Sequence, residues 1–431
     1  MNQISCPAIL VSAPASGQGK TLSTAALARA WKNRGLNVRA FKCGPDFLDP
    51  MVLETATGQP VYNLDLGMCG EQDGLVRLYQ AAQTADVIIV EGVMGLYDGT
   101  PSSADIALRY NLPVMLTIDA SGMAQTFGAL ASGLIGYQPA LIPAGVLANK
   151  VGSTGHADML KDSLPAHLNW LGALPQDEAY ALPERHLGLF RAQEIIDLDA
   201  RIEAAATALA VSSTLPLPPM VTFIAPETAT PSVSSKLLAG KTIAIARDAA
   251  FCFIYPANID CLQEMGATVT FFSPLHDKTL PKADAYWLPG GYPELHLKEI
   301  NGNAAMRDAL LAAFNADKPI LAECGGMMAL SEAINSEPAY GLLAGKSHIE
   351  PRLQGLGTQH TELLEDIGNI GAHTFHYGKF NTPLTPKCQA NSRYGAGEHI
   401  YQQDSITATF LHFYFSSNPA LAARLFSYAK P

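Results

Sequence analysis

Short β-branched runs alternate with longer Ala/Leu-rich stretches through the first half of the chain, and the same rhythm restarts after a break. Apolar runs at 8–11, 38–42, 87–90, 114–117 and 144–147 predict buried strands. Helical periodicity over 21–33, 125–134 and 197–210 fills the spaces between and after them. Strands alternating with helices predict a parallel sheet covered by helices on both faces. Around 212–238 the periodicity stops, and a Leu-Pro-Leu-Pro-Pro segment with Ser, Thr and Pro reads as a linker. Beyond it, 241–246, 268–272, 285–288 and 320–323 predict strands, with helices at 259–265 and 327–334. The expected organisation is two α/β domains, 1–211 and 239–431, joined by the linker 212–238, with no internal repeat.

Composition narrows the function. A chain of 431 residues that is 48% hydrophobic and 16% charged has the apolar content for two globular cores. Its net charge of −11 argues against nucleic acid and against an anionic membrane surface, since both need clustered Lys and Arg. Seven scattered cysteines without a Cys-x-x-Cys spacing suit a reducing compartment better than a disulfide framework. With no basic leader and no apolar run long enough to span a bilayer, the expected location is cytoplasmic.

Ala-Pro-Ala-Ser-Gly-Gln-Gly-Lys-Thr, residues 13–21, lies between a predicted strand and a predicted helix. Helix N-termini bind phosphate because free N–H groups and the helix dipole favour negative charge. Gly17 and Gly19 let the backbone close round an anion, Lys20 can reach β/γ phosphates, and Thr21 can ligate Mg²⁺. Pro14 stands where the strict phosphate-loop pattern has glycine. Partitioning ATPases carry a second lysine five residues before the loop lysine; Ala15 occupies that place.

Acidic groups follow two further strands. Lys42, Asp46 and Asp49 lie in Phe-Lys-Cys-Gly-Pro-Asp-Phe-Leu-Asp-Pro, and Glu91 and Asp98 in Val-Glu-Gly-Val-Met-Gly-Leu-Tyr-Asp-Gly. Parallel sheets bind ligands at their C-terminal edge, and Mg²⁺ takes hard oxygen ligands. Thr21, Asp46 and Glu91 are therefore the candidate metal ligands. Asp46 and Asp98 are candidates for the chemistry itself, Lys42 and Asp49 for substrate positioning, and Asn149 for reading adenine.

A different chemistry is written at residues 319–326, Pro-Ile-Leu-Ala-Glu-Cys-Gly-Gly. An apolar strand, a turned cysteine and small residues opening a helix make a nucleophile elbow, in which the helix N-terminus can lower the thiol pKa. A cysteine nucleophile needs a base and an oxyanion hole. His412 is the candidate base, and the backbone N–H groups of Gly291 and Gly325 the candidate hole. Many glutaminases place a glutamate two residues after the histidine, where this chain has Tyr414. His373 and His376 form a second histidine pair whose spacing could suit a metal, but with no third ligand evident it reads as substrate contact or packing.

Together with Ala-Arg-Asp-Ala-Ala-Phe-Cys-Phe (246–253), Leu-Pro-Gly-Gly-Tyr-Pro-Glu and His-Phe-Tyr-Phe-Ser-Ser-Asn-Pro (412–419), these segments resemble the cobyrinate a,c-diamide synthase family, including its hydrogenobyrinate-using members. The resemblance implies an N-terminal dethiobiotin-synthetase-like domain and a C-terminal class I glutaminase domain. It implies ATP with Mg²⁺, L-glutamine and a corrinoid as partners, acyl phosphate formation on two acetate side chains, and amidation by ammonia freed at Cys324. A homodimer is compatible with it. Thr374 and Gly378 replace an acid and a serine common in the family, which leaves the identity of the tetrapyrrole open. Cobyric acid synthase, a synthase acting on nickel sirohydrochlorin, and a non-catalytic nucleotide or corrinoid binder are the rival readings.

Overall fold

The apolar runs of the first half become parallel strands whose C-terminal ends share one edge. In the computed structural model, which describes residues 2–185, 188–189, 191–226, 236–363, 367–393 and 395–427, contacts divide the chain into two units. They are Met1–Leu66 with Glu71–Ala229, and Gly67–Gly70 with Thr230–Pro431.

In the first unit the sheet runs Tyr62–Leu64, Val38–Cys43, Val87–Glu91, Gln3–Ser12, Val114–Asp119, Pro143–Val151, Trp170–Pro175, every neighbouring pair parallel. Val87–Glu91 is buried along its whole length, as a strand with both faces covered must be. Helices Lys20–Asn33 and Leu198–Ser212 pack with Ile9, Val11 and Ile89 on one face; Leu10, Val90 and Leu116 belong to a second core. Register sets the chemistry: Lys42 and Val11 both lie opposite Glu91, and Asp119 lies opposite Asn149. The sheet therefore delivers its polar side chains to one rim beside the loop that opens helix Lys20–Asn33.

The segment read as linker is in part a strand. Met220–Ile224 pairs antiparallel with the first half of Gln3–Ser12, from Gln3 opposite Ile224 to Pro7 opposite Met220. Pro216, Pro218 and Pro219 masked this in the sequence, because the pairing begins only where the prolines end. Residues 227–235 of the expected linker lie outside the described residues.

In the second unit five parallel strands, Thr268–Phe272, Thr242–Ala246, Ala285–Leu288, Ile320–Glu323 and Ile406–Thr409, lie side by side. Antiparallel strands Gly395–Gln403, Cys388–Ser392, Gly355–Thr361, Ile370–His376 and His412–Phe413 extend the sheet. The predicted helix at 259–265 begins earlier, at Pro256, whose ring suits a first helical turn. The predicted helix 327–334 needs correction: the helix is Gly325–Leu330, and Ser331–Ile334 is a strand pairing with Glu337–Pro338 and Leu343–Ile349. Ser331 turns extended, and its hydroxyl donates to the carbonyls of Met328 and Ala333, which holds the chain out of the helix.

Candidate functional sites

The phosphate loop is held open by its glycines and braced from two strands. Gly17 and Gly19 have φ of 75° and 87°, left-handed values natural to glycine. Gly19 caps helix Lys20–Asn33, and a Cβ there would overlap the Asn149 amide. Asn149 Nδ2 donates to the Gln18 carbonyl at 3.0 Å, and Gln18 Oε1 accepts the Asp119 N–H at 3.0 Å. One N–H of the Asn149 amide is thus engaged in holding the loop. Lys20 Nζ donates to the Ala15 carbonyl at 3.1 Å, across the mouth of the loop. Burial, with Lys42 nearby, lowers its pKa to about 8.

Beneath the loop lies a charged cluster. Lys42, 2% exposed, is 2.7 Å from Asp49 Oδ2 and 3.1 Å from Glu91 Oε1, and donates to the Gly92 carbonyl at 2.9 Å. The Thr21 hydroxyl lies 2.8 Å from Glu91 Oε1 and 3.2 Å from Asp49 Oδ1. Asp46 Oδ1 accepts the Leu48 N–H at 2.8 Å at the start of helix Leu48–Thr57. Burial and the Asp49 charge push the Asp46 carboxyl up to about 8. For Asp49, burial is outweighed by the Lys42 ammonium, and the pKa falls to about 2. Burial raises Glu91 to about 7 against the pull of Lys42.

One observation bears on a cation. Glu91 Oε2 is buried and accepts no hydrogen bond, while Oε1 serves both Thr21 and Lys42. A carboxylate oxygen left bare beside a phosphate loop suits a hard divalent ion. Among the described residues no group of three or more His, Cys, Asp or Glu side chains forms a metal cluster, so phosphate and water would complete such a shell.

The other acidic candidate, Asp98, is exposed and accepts the Gly95 N–H at 2.9 Å. It shapes a turn pinned to the phosphate loop, for Leu96 N–H donates to the Ala13 carbonyl at 2.8 Å. A Cβ on Gly95 would sit 2.6 Å from the Pro14 carbonyl. Proline at 14 is thus part of a close loop-to-loop contact that glycine at 95 permits.

In the second unit Cys324 ends strand Ile320–Glu323 with φ 46° and ψ −108°, strained for a residue with a side chain. Its N–H donates to the Thr409 carbonyl at 2.7 Å. A Cβ on Gly326 would overlap the Leu288 carbonyl, and one on Gly325 would lie 2.9 Å from Gly291 N. A Cβ on Gly291 would overlap the Ala250 carbonyl, and one on Gly290 would overlap the His412 ring. Close approach of the two turns thus gathers the Gly290–Gly291 pair, Gly325 and His412 around the cysteine.

Electrostatics correct one expectation. The helix after Cys324 is only Gly325–Leu330, and the thiol pKa is raised, not lowered. Burial dominates; the Glu294, Glu398 and Glu323 carboxylates add to it, and the Gly325 N–H opposes. Burial, with His373 and His376 nearby, lowers His412 to about 3. Both the thiol and the imidazole are thus held neutral.

Four groups near this site take their places from long-range pairing that the sequence does not announce. His373 lies directly opposite His412 in the antiparallel pair, a register no local pattern announces. His376 bonds Glu398 Oε1 at 2.9 Å through Nε2 and the Gly378 carbonyl at 2.8 Å through Nδ1, and stacks on Phe410. Glu323 accepts the Trp287 indole N–H at 3.0 Å and the Phe413 N–H at 2.9 Å. Tyr414 is buried against the Tyr255 ring.

Comparison with known proteins agrees along the length of the chain. A family described as the CobQ/CobB/MinD/ParA nucleotide binding domain matches residues 9–190, and the CobB/CobQ-like glutamine amidotransferase domain matches residues 242–420. Hydrogenobyrinate a,c-diamide synthase of Stutzerimonas stutzeri is 51% identical over 434 residues, covering 99% of each chain. The protein of that name from Pseudomonas aeruginosa is 49% identical, covering 100% of this chain and 99% of its own. Cobyrinate a,c-diamide synthase of Herminiimonas arsenicoxydans is 46% identical, covering 97% and 96%. With two adjoining domain families and relatives alike from end to end, the chain belongs to the cobyrinate and hydrogenobyrinate a,c-diamide synthase family.

Proposed function

We propose that this protein is a glutamine-hydrolysing carbon–nitrogen ligase that uses ATP to turn the a- and c-acetate carboxylates of cobyrinate or hydrogenobyrinate into amides. The observation that carries this reading is the joint presence of two built sites. One is a phosphate loop over the Lys42–Asp49–Glu91 cluster; the other is a strained cysteine beside His412 and the paired glycine turns.

At the first site the Gly17 to Thr21 backbone cradles the ATP phosphates, and Lys20 leaves the Ala15 carbonyl to meet them. Thr21, Glu91 and Asp46 would hold Mg²⁺, which supplies charge neutralisation for the β and γ phosphates when bound. Lys42 keeps Asp49 ionised in a buried place and opposes the rise that burial imposes on Glu91. Asn149 serves by fixing the loop, and Asp98 by fixing the neighbouring turn. An acetate oxygen of the corrinoid attacks the γ-phosphorus, ADP leaves, and the acyl phosphate so formed is a mixed anhydride with a good leaving group.

At the second site His412 takes the Cys324 proton as sulfur attacks the glutamine side-chain amide. The Gly291 and Gly325 N–H groups stabilise the oxyanion. His412 returns that proton to the leaving nitrogen so that ammonia departs, water releases glutamate from the thioester, and the ammonia displaces phosphate from the activated acetate. Cys324→Ala tests the assignment. Glutamine-driven amidation should vanish while amidation with added ammonium continues, and loss of both activities would refute the division of labour. Mass spectrometry of products from separate tetrapyrroles identifies the substrate: two new amides on cobyrinate or hydrogenobyrinate are expected.

A further inference from the structure

The thiolate site has no glutamate two residues after His412, yet it does have a buried carboxylate in contact with the base strand. Glu323, the residue before the nucleophile, is 1% exposed, and both of its oxygens are used. Oε2 accepts from the indole of Trp287 at 3.0 Å, on the strand that leads into the Gly290–Gly291 turn. Oε1 accepts at 2.9 Å from the backbone N–H of Phe413, the residue after His412. Phe413 is held from its other side as well: Asn258 Nδ2 donates to its carbonyl at 2.7 Å, and Asn258 Oδ1 accepts the Phe415 N–H at 2.7 Å.

Three catalytic segments thus end beside one carboxylate. Placing an ionisable group in a dry core is costly; burial raises the Glu323 pKa to about 8, and the two N–H donors offset that only in part. An apolar residue there would leave the Trp287 indole and the Phe413 N–H buried without an acceptor, so the carboxyl group is what joins the two segments. Resting on the reading of Cys324 as the nucleophile, we infer that Glu323 is a positioning residue for glutamine hydrolysis. It ties the oxyanion turn, the nucleophile elbow and the base strand into one register. Glu323 touches no reacting atom; it acts through the placement of His412 and Gly291.

The test uses the full-length enzyme. Glu323→Gln keeps the shape but turns an NH₂ group toward one of the two N–H donors. Trp287→Phe removes one donor and keeps an aromatic ring, which guards against a Glu323 variant that does not fold. Because ångström-scale misplacement costs about a hundredfold in rate, Glu323→Gln should lower glutaminase kcat roughly 10- to 100-fold and Trp287→Phe about 3- to 10-fold. KM for glutamine should stay within about threefold, because the tie does not touch substrate. Labelling of Cys324 by a glutamine-shaped electrophile should slow in both variants, and ammonium-driven amidation should be unchanged. Two results overturn the inference: both variants hydrolysing glutamine like the parent, or both losing ammonium-driven amidation in equal measure. Cys324→Ala in parallel separates the readings. If it still hydrolyses glutamine, the nucleophile assignment fails; if it does not and Glu323→Gln is active, only the positioning role fails.

Discussion

Replacing Lys42 by methionine is the most informative perturbation of the nucleotide site. The ammonium is 2% exposed, 2.7 Å from Asp49 and 3.1 Å from Glu91, whose side chain is 0% exposed. Methionine fills the volume of the stem but leaves two buried carboxylates facing each other across Thr21. Breaking a buried pair by removing one partner costs about 3–5 kcal/mol, chiefly through the uncompensated charge. Glu91→Gln is milder, since Lys42 keeps Asp49, and should cost about 1–3 kcal/mol for the lost charged hydrogen bonds. The double variant should fall short of the sum of the singles by about 1–3 kcal/mol, as coupled neighbours do. Hydrogen exchange of the full-length protein, read at the amides of 40–43 and 88–91, measures these strand openings where they occur. Lys42→Met should speed that exchange by roughly two to four orders of magnitude. If the single effects add to within about 0.5 kcal/mol, Lys42 and Glu91 are not coupled and the cluster has been misread.

Thr21→Val should remove ATP-dependent phosphate release while leaving glutamine hydrolysis intact, measured as glutamate formed. Gly326→Ala should abolish glutamine hydrolysis and destabilise the second unit by about 1–3 kcal/mol or more, because its Cβ overlaps the Leu288 carbonyl; a melting curve beside a glutaminase assay checks both. His412 has its pKa depressed to about 3, so it stays neutral as pH falls through the ordinary histidine range and protonates only near that value. Glutaminase kcat/KM should therefore show no acid-limb titration near pH 6.5, and a limb there would contradict the buried neutral base.

Local chemistry was legible in the sequence and long-range register was not. The phosphate loop, the Lys42 and Glu91 strand ends and the cysteine elbow each occupy a few consecutive residues whose backbone demands are written in glycines and β-branched runs. That Lys42 stands opposite Glu91 follows from parallel pairing of two strands, and no spacing in the chain encodes it. The same holds for His373 opposite His412 and for Glu323 between Trp287 and Phe413. Strand Met220–Ile224 was hidden because prolines beside it speak for a linker, while its partner is the start of the chain. Helix Gly325–Leu330 stops short of the sequence pattern because Leu, Ser, Glu and Ala at 330–333 carry helical propensity that sheet pairing overrides. A helix N-terminus can acidify a thiol, but the short helix Gly325–Leu330 does not offset full burial beside carboxylates.

Nitrogen transfer from glutamine to the corrinoid is the centre of the account, and isotope labelling tests it directly. The enzyme is given ATP, cobyrinate or hydrogenobyrinate, glutamine labelled with ¹⁵N in the side-chain amide, and unlabelled ammonium in the medium. The account predicts ¹⁵N in both new amides, and loss of that label in Cys324→Ala. Product amides carrying only the unlabelled nitrogen of the medium in the parent enzyme would contradict it.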